Sequence, residues 1–446
     1  MFAAKRNTKI CLFVRFVILL KIMAAKATVA VLLYMTINLA NAAEDTVRGS
    51  TAATMPHPEL SPEGIRRGSF VFRPSIGYSL DFNDNVFATE NNKESSYVTE
   101  LAPTISASSD WNSHALNFTA SSVVSQNHEF SSEDYTDWNL DAGGLLDISR
   151  NATLSAGAGI GREHIPRSAP DDERGTEPTE FDRTSFFTRY LHKTGRMVGV
   201  INLNILRKEY LDVDAIRLGV PVTIDNSDRD RTESRLRLRV GYRYVGDEQV
   251  FVSLEGFDRD YDTRRNISRL DQSSTGLETL AGFSFDYHGI LLGEFAFGYR
   301  TQDYERPLED IETPIVKANI LWNLTDLTTA SFVVDQKIQE SIDRLFSGYT
   351  STTTSVGLDH ELRRNLLVNL SLNYVRDEYT GIGAADRDDE TYYIEAGSRY
   401  RINRNLFFNA RFIHEERKSD LNIAIDDTNR FDFDRNLISL QLQAQF

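Results

Sequence analysis

The sequence predicts an all-β fold, a transmembrane antiparallel up-and-down β-barrel of about eighteen strands. Three features predict it: long segments in which apolar and polar side chains alternate, connections that alternate between short and long, and an amphipathic strand at the carboxyl terminus. Successive side chains of a strand point to opposite faces, so such strands present one face to lipid and the other to water. We expect the barrel to comprise residues 69–446, with both termini in the periplasm.

Residues 1–42 have the pattern of a secretory signal peptide. The apolar stretch 27–39 follows a lysine and precedes small residues that favour cleavage after Ala42. A second apolar patch with basic flanks lies closer to the amino terminus. The signal peptide is therefore either unusually long, or translation begins at Met23 and the signal has ordinary length. We favour the second interpretation.

Residues 43–68 are predicted to form a periplasmic amino-terminal linker or docking tail. They contain Pro56, Pro58 and Pro62, and their apolar side chains show no periodic spacing. Prolines at this density are typical of connecting segments. The segment therefore lies outside the predicted barrel.

From residue 69 onward the sequence indicates a series of β-hairpins. Alternation is strongest in 70–82, 115–126, 235–244, 250–257, 291–300, 366–375 and 406–412. About eight short connections and about nine long, charged ones separate the strands, which gives the even number expected for a single-chain bacterial barrel. With both termini in the periplasm, every short connection falls on the periplasmic side and every long one outside.

The last eleven residues, 436–446, form the clearest amphipathic strand of the chain. Ile438, Leu440 and Leu442 fall on one face, and the serine and glutamines between them fall on the other. The strand ends on Phe446. A terminal phenylalanine on such a strand resembles the signal by which outer-membrane barrels are passed to their insertion machinery, so we interpret Phe446 as an insertion signal.

The alternation of faces along each strand also predicts which charged side chains face the lumen, because a charge on the lipid face at mid-membrane costs about 2–4 kcal/mol. The predicted lumen-facing residues are Arg235, Arg237, Arg239, Arg243, Arg399, Arg401, Arg411, Glu255, Glu278, Glu294 and Glu395. Two interpretations of this mixed charge remain open. It forms either a salt-bridged wall that keeps the lumen hydrated, or a track that guides an anionic solute or polymer by weak, repeated contacts.

Several of these features together resemble a known family. They are the opening segment Gly-Tyr-Ser-Leu-Asp-Phe-Asn-Asp-Asn-Val-Phe at 77–87, the recurrent Arg-Asn-Leu turns at 364–366 and 404–406, and the terminal Phe446. They resemble the putative β-barrel porin 2 family of outer-membrane proteins over nearly the whole mature chain. Members resembling it are encoded with exopolysaccharide assembly genes, which implies a pore for the polymer. The resemblance supplies no catalytic residue.

Two main functions are compatible with this pattern. The first is a pore component for passive passage of an exopolysaccharide across the outer membrane, and the second is a diffusion porin for small nutrients. A diffusion porin normally folds a loop inward, and the loop 211–229, with Pro221 between two valines, is our candidate for that constriction. A third possible function is that of a structural or adhesive outer-membrane barrel.

Composition disfavours other classes of function. The formal net charge of −16 and the isoelectric point of about 5.1 disfavour binding to nucleic acid. The one cysteine, Cys11, lies in the signal peptide, and the histidines lack metal-ligand spacing. We expect no enzyme activity, cofactor or metal. The expected partners are outer-membrane lipid and lipopolysaccharide, the barrel insertion machinery, periplasmic polysaccharide-export proteins and the polysaccharide cargo.

Overall fold

A computed structural model describes residues 51–170, 172–263, 270–343, 345–382, 385–422 and 431–446. Its strands are β1 (Ile65–Arg67), β2 (Phe70–Asn83), β3 (Ser96–Ser109), β4 (His114–Asn127), β5 (Tyr135–Ser149), β6 (Ala152–His164), β7 (Glu180–Thr194), β8 (Met197–Tyr210), β9 (Val213–Arg217), β10 (Val220–Ile224), β11 (Arg231–Val245), β12 (Glu248–Tyr261), β13 (Ser274–Tyr287), β14 (Leu291–Tyr304), β15 (Ile311–Thr325), β16 (Thr328–Glu340), β17 (Phe346–Arg363), β18 (Leu366–Gly381), β19 (Asp386–Arg401), β20 (Leu406–Asn422) and β21 (Phe433–Gln445). Three short 3₁₀ helices lie at Pro58–Leu60, Ser131–Glu133 and Ser227–Arg229.

Eighteen of these strands, β2–β8 and β11–β21, form a closed antiparallel barrel, which confirms the predicted fold class and strand number. Each strand pairs with its neighbour in the chain, and β8 pairs with β11 across the small β9–β10 hairpin. The barrel closes where β2 pairs with β21, from Ser75 opposite Gln445 to Asn83 opposite Leu437. In a closed barrel every backbone group of the wall finds a partner, which a lipid environment requires.

The predicted alternation of faces is present in the barrel wall. In β11, Leu238 and Val240 are exposed on the outside, whereas Arg239 between them is buried on the inside. Similar exposed apolar side chains surround the barrel, among them Leu140, Phe186, Val252, Phe297, Val356, Leu372 and Leu440. An apolar surface this continuous is suited to contact with lipid. No helix among the described residues is long and apolar enough to cross a membrane.

The two ends of the barrel differ in the length of their connections. We call the end with eight tight connections the turn end and the opposite end the loop end. Gly195 and Gly246 sit in two of the turns with φ of +57° and +51°, a left-handed conformation that other residues adopt with strain. Both ends of the barrel chain lie at the turn end, where the Phe446 amide donates to the Pro74 carbonyl at 3.0 Å. The periplasmic location of this end remains a prediction.

Some loops are shorter than the sequence indicated. The charged stretch 380–389 is typical of the long connections, but the connection there spans only 382–385, because β19 begins at Asp386. Arg387 and Asp389 pair with each other on the inner face of this strand and are buried. A water-filled lumen allows charge inside strands, so charge alone did not mark the loop boundaries.

Removal of Phe446 is expected to lower the amount of membrane-inserted protein. The β2–β21 ladder extends only to Gln445, and the Phe446 side chain is exposed, so its loss removes little packing inside the barrel. A fall in insertion would therefore report recognition of the terminal residue. Outer-membrane fractionation measures it, with Phe446→Trp as an aromatic control. Unchanged insertion after deletion would show that Phe446 is not the signal.

Candidate functional site in the barrel lumen

One side of the lumen is a wall of paired charges. Arg237 Nε donates to Glu255 Oε2 at 2.6 Å. The two terminal nitrogens of Arg239 donate to the Glu294 carboxylate at 3.0 and 2.7 Å, a bidentate contact that reaches from β11 to β14. The Arg239 guanidinium also lies 3.6 Å from the ring centre of Phe251. Such geometry satisfies each charge locally and leaves little for a passing solute.

The same wall continues into neighbouring strands. Glu278 is almost fully buried and contacts Lys317 Nζ at 2.9 Å and Arg300 at 3.6 Å. Arg235 lies 3.2 Å from Glu233, and Arg243 donates to the Gly195 carbonyl at 2.7 Å in a turn. On this side of the lumen, the contacts favour the salt-bridged wall over the cargo track.

The opposite side, around β19 and β20, is more open. Arg399 and Arg411 are exposed although they occupy the inner face, between outward-facing residues such as Ile394 and Phe412. Arg399 Nε donates to Asn409 Oδ1 at 3.0 Å. The two remaining candidates on β19 are less accessible: Glu395 and Arg401 are half-buried, and Arg401 donates to the Arg364 carbonyl in a turn.

The loop between β6 and β7, described at residues 165–170 and 172–179, crosses part of the lumen. It connects β6 to β7, yet Ser168 accepts hydrogen bonds from Arg417 on β20 and Arg435 on β21, both at 2.9 Å. Four strands, β2–β5, lie between these two parts of the wall. The loop therefore spans this sector of the barrel at the loop end. We call it the crossing loop.

Buried charges hold the crossing loop in place. Arg167 makes a bidentate contact, at 2.8 and 2.7 Å, to Glu133 in the loop between β4 and β5. Arg167 also lies 3.5 Å from Asp172. Burial raises the pKa of the Asp172 carboxyl, and the Arg167 guanidinium partly offsets the rise. On the far wall, Arg435 also donates to Glu415 at 2.6 Å. These contacts fix both ends of the crossing.

The loop at 211–229, expected to narrow the lumen, has a different role in the structure. It forms the β9–β10 hairpin, whose tip residue Leu218 is fully exposed. The base of the hairpin packs on the crossing loop, where the Thr176 amide donates to the Asp214 carbonyl at 2.6 Å and Val213 is buried. The hairpin therefore supports the crossing loop, and the crossing loop makes the contacts to the far wall.

At the turn end, residues 51–63 lie against the inner face of the barrel. The Ala52 amide donates to Thr329 Oγ1 of β16 at 2.9 Å, and His57 Nε2 lies 2.8 Å from Glu361 Oε2 of β17. Glu63 pairs with Arg404 in the turn between β19 and β20. Ala52, His57 and Glu361 are buried. The segment predicted as a linker thus follows the inner wall of the barrel at this end, and we call it the amino-terminal strap.

The residues that hold these two segments were missed by sequence reasoning. Arg417 and Glu415 lie on the same face of β20 as Arg411, so the same alternation rule would have placed them inside. The strand pattern could not predict that Arg417 contacts Ser168, because the two residues are 249 positions apart in the chain. Among the described residues, no three metal-binding side chains cluster.

The geometry defines an outer-membrane β-barrel of porin-like fold, with a charged lumen, a loop that spans part of it at the loop end and a strap along its inner wall at the turn end. The family model described as "Putative beta-barrel porin 2" matches residues 57–446. The chain belongs to this family, and its place is the outer membrane. The resemblance that the sequence showed is thereby confirmed.

Solved outer-membrane barrels are similar at low identity. OccK2 (OpdF) of Pseudomonas aeruginosa, in complex with glucuronate, is 11% identical, with a TM-score of 0.45 and coverage of 84% of this chain and 98% of that one. OccAB3 of Acinetobacter baumannii is also 11% identical, with a TM-score of 0.45 and coverage of 85% and 100%. The siderophore receptor PirA of the same organism is 9% identical, with a TM-score of 0.44 and coverage of 84% and 80%. No curated protein matches the sequence.

Proposed function

We propose that the protein is a passive pore for small hydrophilic solutes. The observation that carries this proposal is the pair of segments inside the lumen. The crossing loop spans the β2–β5 sector at the loop end, and the strap follows the inner face from β2 to β16 at the turn end. Each segment occupies part of the lumen, which favours passage of small molecules over passage of a polymer chain. Water still reaches Arg399 and Arg411 between them.

Passage of an exopolysaccharide is the second candidate. It is implied by the family resemblance, and the hydrated charged lumen is compatible with it. A polymer would need a wider path, so both segments would have to leave the lumen. The strap would have to release its buried contacts to Thr329 and Glu361, whereas its Glu59–Arg364 contact is 3.9 Å long and exposed. In either case we place the turn end in the periplasm, where export partners would meet the strap.

Purified protein in liposomes is expected to admit small sugars and to exclude polysaccharide, because the two segments remain in place without partners. Liposome swelling measures the first property, and single-channel conductance in planar bilayers measures the opening. Barrels that are folded but admit no small sugar would contradict the pore proposal.

Deletion of the gene separates the two candidates in the cell. A small-solute pore predicts impaired uptake of a nutrient with normal surface polymer. Polymer passage predicts less surface exopolysaccharide with normal uptake of small solutes. Complementation with the full chain controls for effects on neighbouring genes.

A further inference from the structure

We propose that the open side of the lumen holds a binding site for carboxylated sugars. The site consists of Arg399, Arg411, Asn409 and Gln441, which we call the arginine patch. The inference rests on the proposed pore function and adds the class of solute. It applies to a free sugar acid and to uronic acid units of a polymer, since both carry the same groups.

Strand register brings the patch together. Arg399 lies opposite Asn409, and Arg411 lies two residues further along β20. Asn409 in turn lies opposite Gln441 of β21, and its Nδ2 donates to Gln441 Oε1 at 2.9 Å. Asn409 thus orients its carbonyl toward Arg399 and its amide toward Gln441. The result is a row of guanidinium and amide groups along the inner wall.

Small residues flank Arg411 and leave it accessible. Its cross-strand neighbours are Gly397 on β19 and Ser439 on β21. A side chain at Gly397 would meet Asn369 Oδ1 at 2.3 Å, so this position has no room for a larger residue. With small residues on both sides, the guanidinium of Arg411 projects above the wall into water.

The patch differs in charge balance from the paired wall. Arg237 and Arg239 each contact a carboxylate within 2.7 Å. Arg399 and Arg411, by contrast, form no ion pair within 4.0 Å among the described residues, although Arg411 interacts electrostatically with Glu100 of β3 beyond that distance. An exposed arginine with no carboxylate in direct contact can offer its guanidinium to a solute, and arginine binds carboxylates in a bidentate manner.

The neighbouring amides extend recognition beyond the carboxylate. Asparagine and glutamine side chains each present a donor and an acceptor, which suits the hydroxyl groups of a sugar. A simple inorganic anion would use only the arginines. A neutral sugar would use only the amides. A carboxylated sugar uses both, so it fits the whole row best.

The test measures channel block and binding with galacturonate, galactose and a short oligogalacturonate. Galacturonate should reduce the single-channel current at lower concentration than galactose, and Arg399→Gln with Arg411→Gln should weaken that effect at least about tenfold, as expected for the loss of charged hydrogen bonds. Arg243→Gln is the matched control, because it removes a lumen arginine that is bound in a turn. A stronger effect of the oligomer than of the monomer would assign the site to polymer.

Calorimetry on the folded barrel in detergent gives a second readout that needs no conduction. Galacturonate should bind the wild type and the Arg243→Gln variant, and should bind the double variant at least about tenfold more weakly. Equal effects of galacturonate and galactose, or equal binding by the double variant, would overturn the proposal. A barrel that binds galacturonate but does not conduct would contradict the pore function and leave the site intact.

Discussion

Replacing residues 166–178 by two glycines is expected to raise the single-channel conductance about twofold or more, because the segment across the β2–β5 sector is removed. The barrel strands β6 and β7 stay intact in this variant, so insertion should be preserved. Removal also frees Arg417 and Arg435 from Ser168, while Arg435 keeps its contact to Glu415. Planar-bilayer recordings measure the conductance.

The matched control shortens the β9–β10 hairpin at Leu218 and Gly219. Leu218 is fully exposed, and the space beside Gly219 that a side chain would occupy is open to a distance of 4 Å, so this change leaves the crossing loop in place. The control should conduct like the wild type. If both variants keep wild-type conductance, the crossing loop does not limit the pore.

Charge reversal of Arg239 is expected to reduce the amount of folded barrel severely. From the alternation of faces alone, one would expect reversal of Arg237 and Arg239 to spare insertion and lower anion conductance, because the lipid face of β11 is untouched. The structure changes this expectation. Arg239 is buried against Glu294, and loss of one partner of a buried ion pair costs about 3–5 kcal/mol. Heat-modifiable migration on gels measures the folded fraction.

Two further variants separate folding from transport. The swap Arg239→Glu with Glu294→Arg restores an ion pair and should recover much of the folded protein. Arg411→Glu, on the open side, should leave folding unchanged and lower anion selectivity, because this arginine is exposed. Full folding of the single Arg239→Glu variant would show that the paired wall contributes little to stability.

The sequence by itself determined the barrel, its eighteen strands and the side of each strand that faces lipid. These follow from a local rule: side chains alternate along a strand, and lipid admits only apolar ones. The same rule explains why Arg239 and Arg411 were both placed inside, and why the terminal strand with Leu440 and Leu442 was recognised. Each inference needed only neighbouring residues in the chain.

Only the tertiary structure decided what those inward residues contact. Arg239 and Arg411 both face the lumen according to the alternation of side chains. Arg239 contacts Glu294 three strands away, whereas Arg411 is exposed. The crossing of the lumen by the loop at Ser168 also depends on contacts between distant segments. The alternation of side chains along a strand does not predict which residues meet across the barrel, because the distances across the barrel depend on its closure and on the path of its loops. The division of the lumen into a paired wall and an open patch therefore emerges only when the strands are assembled.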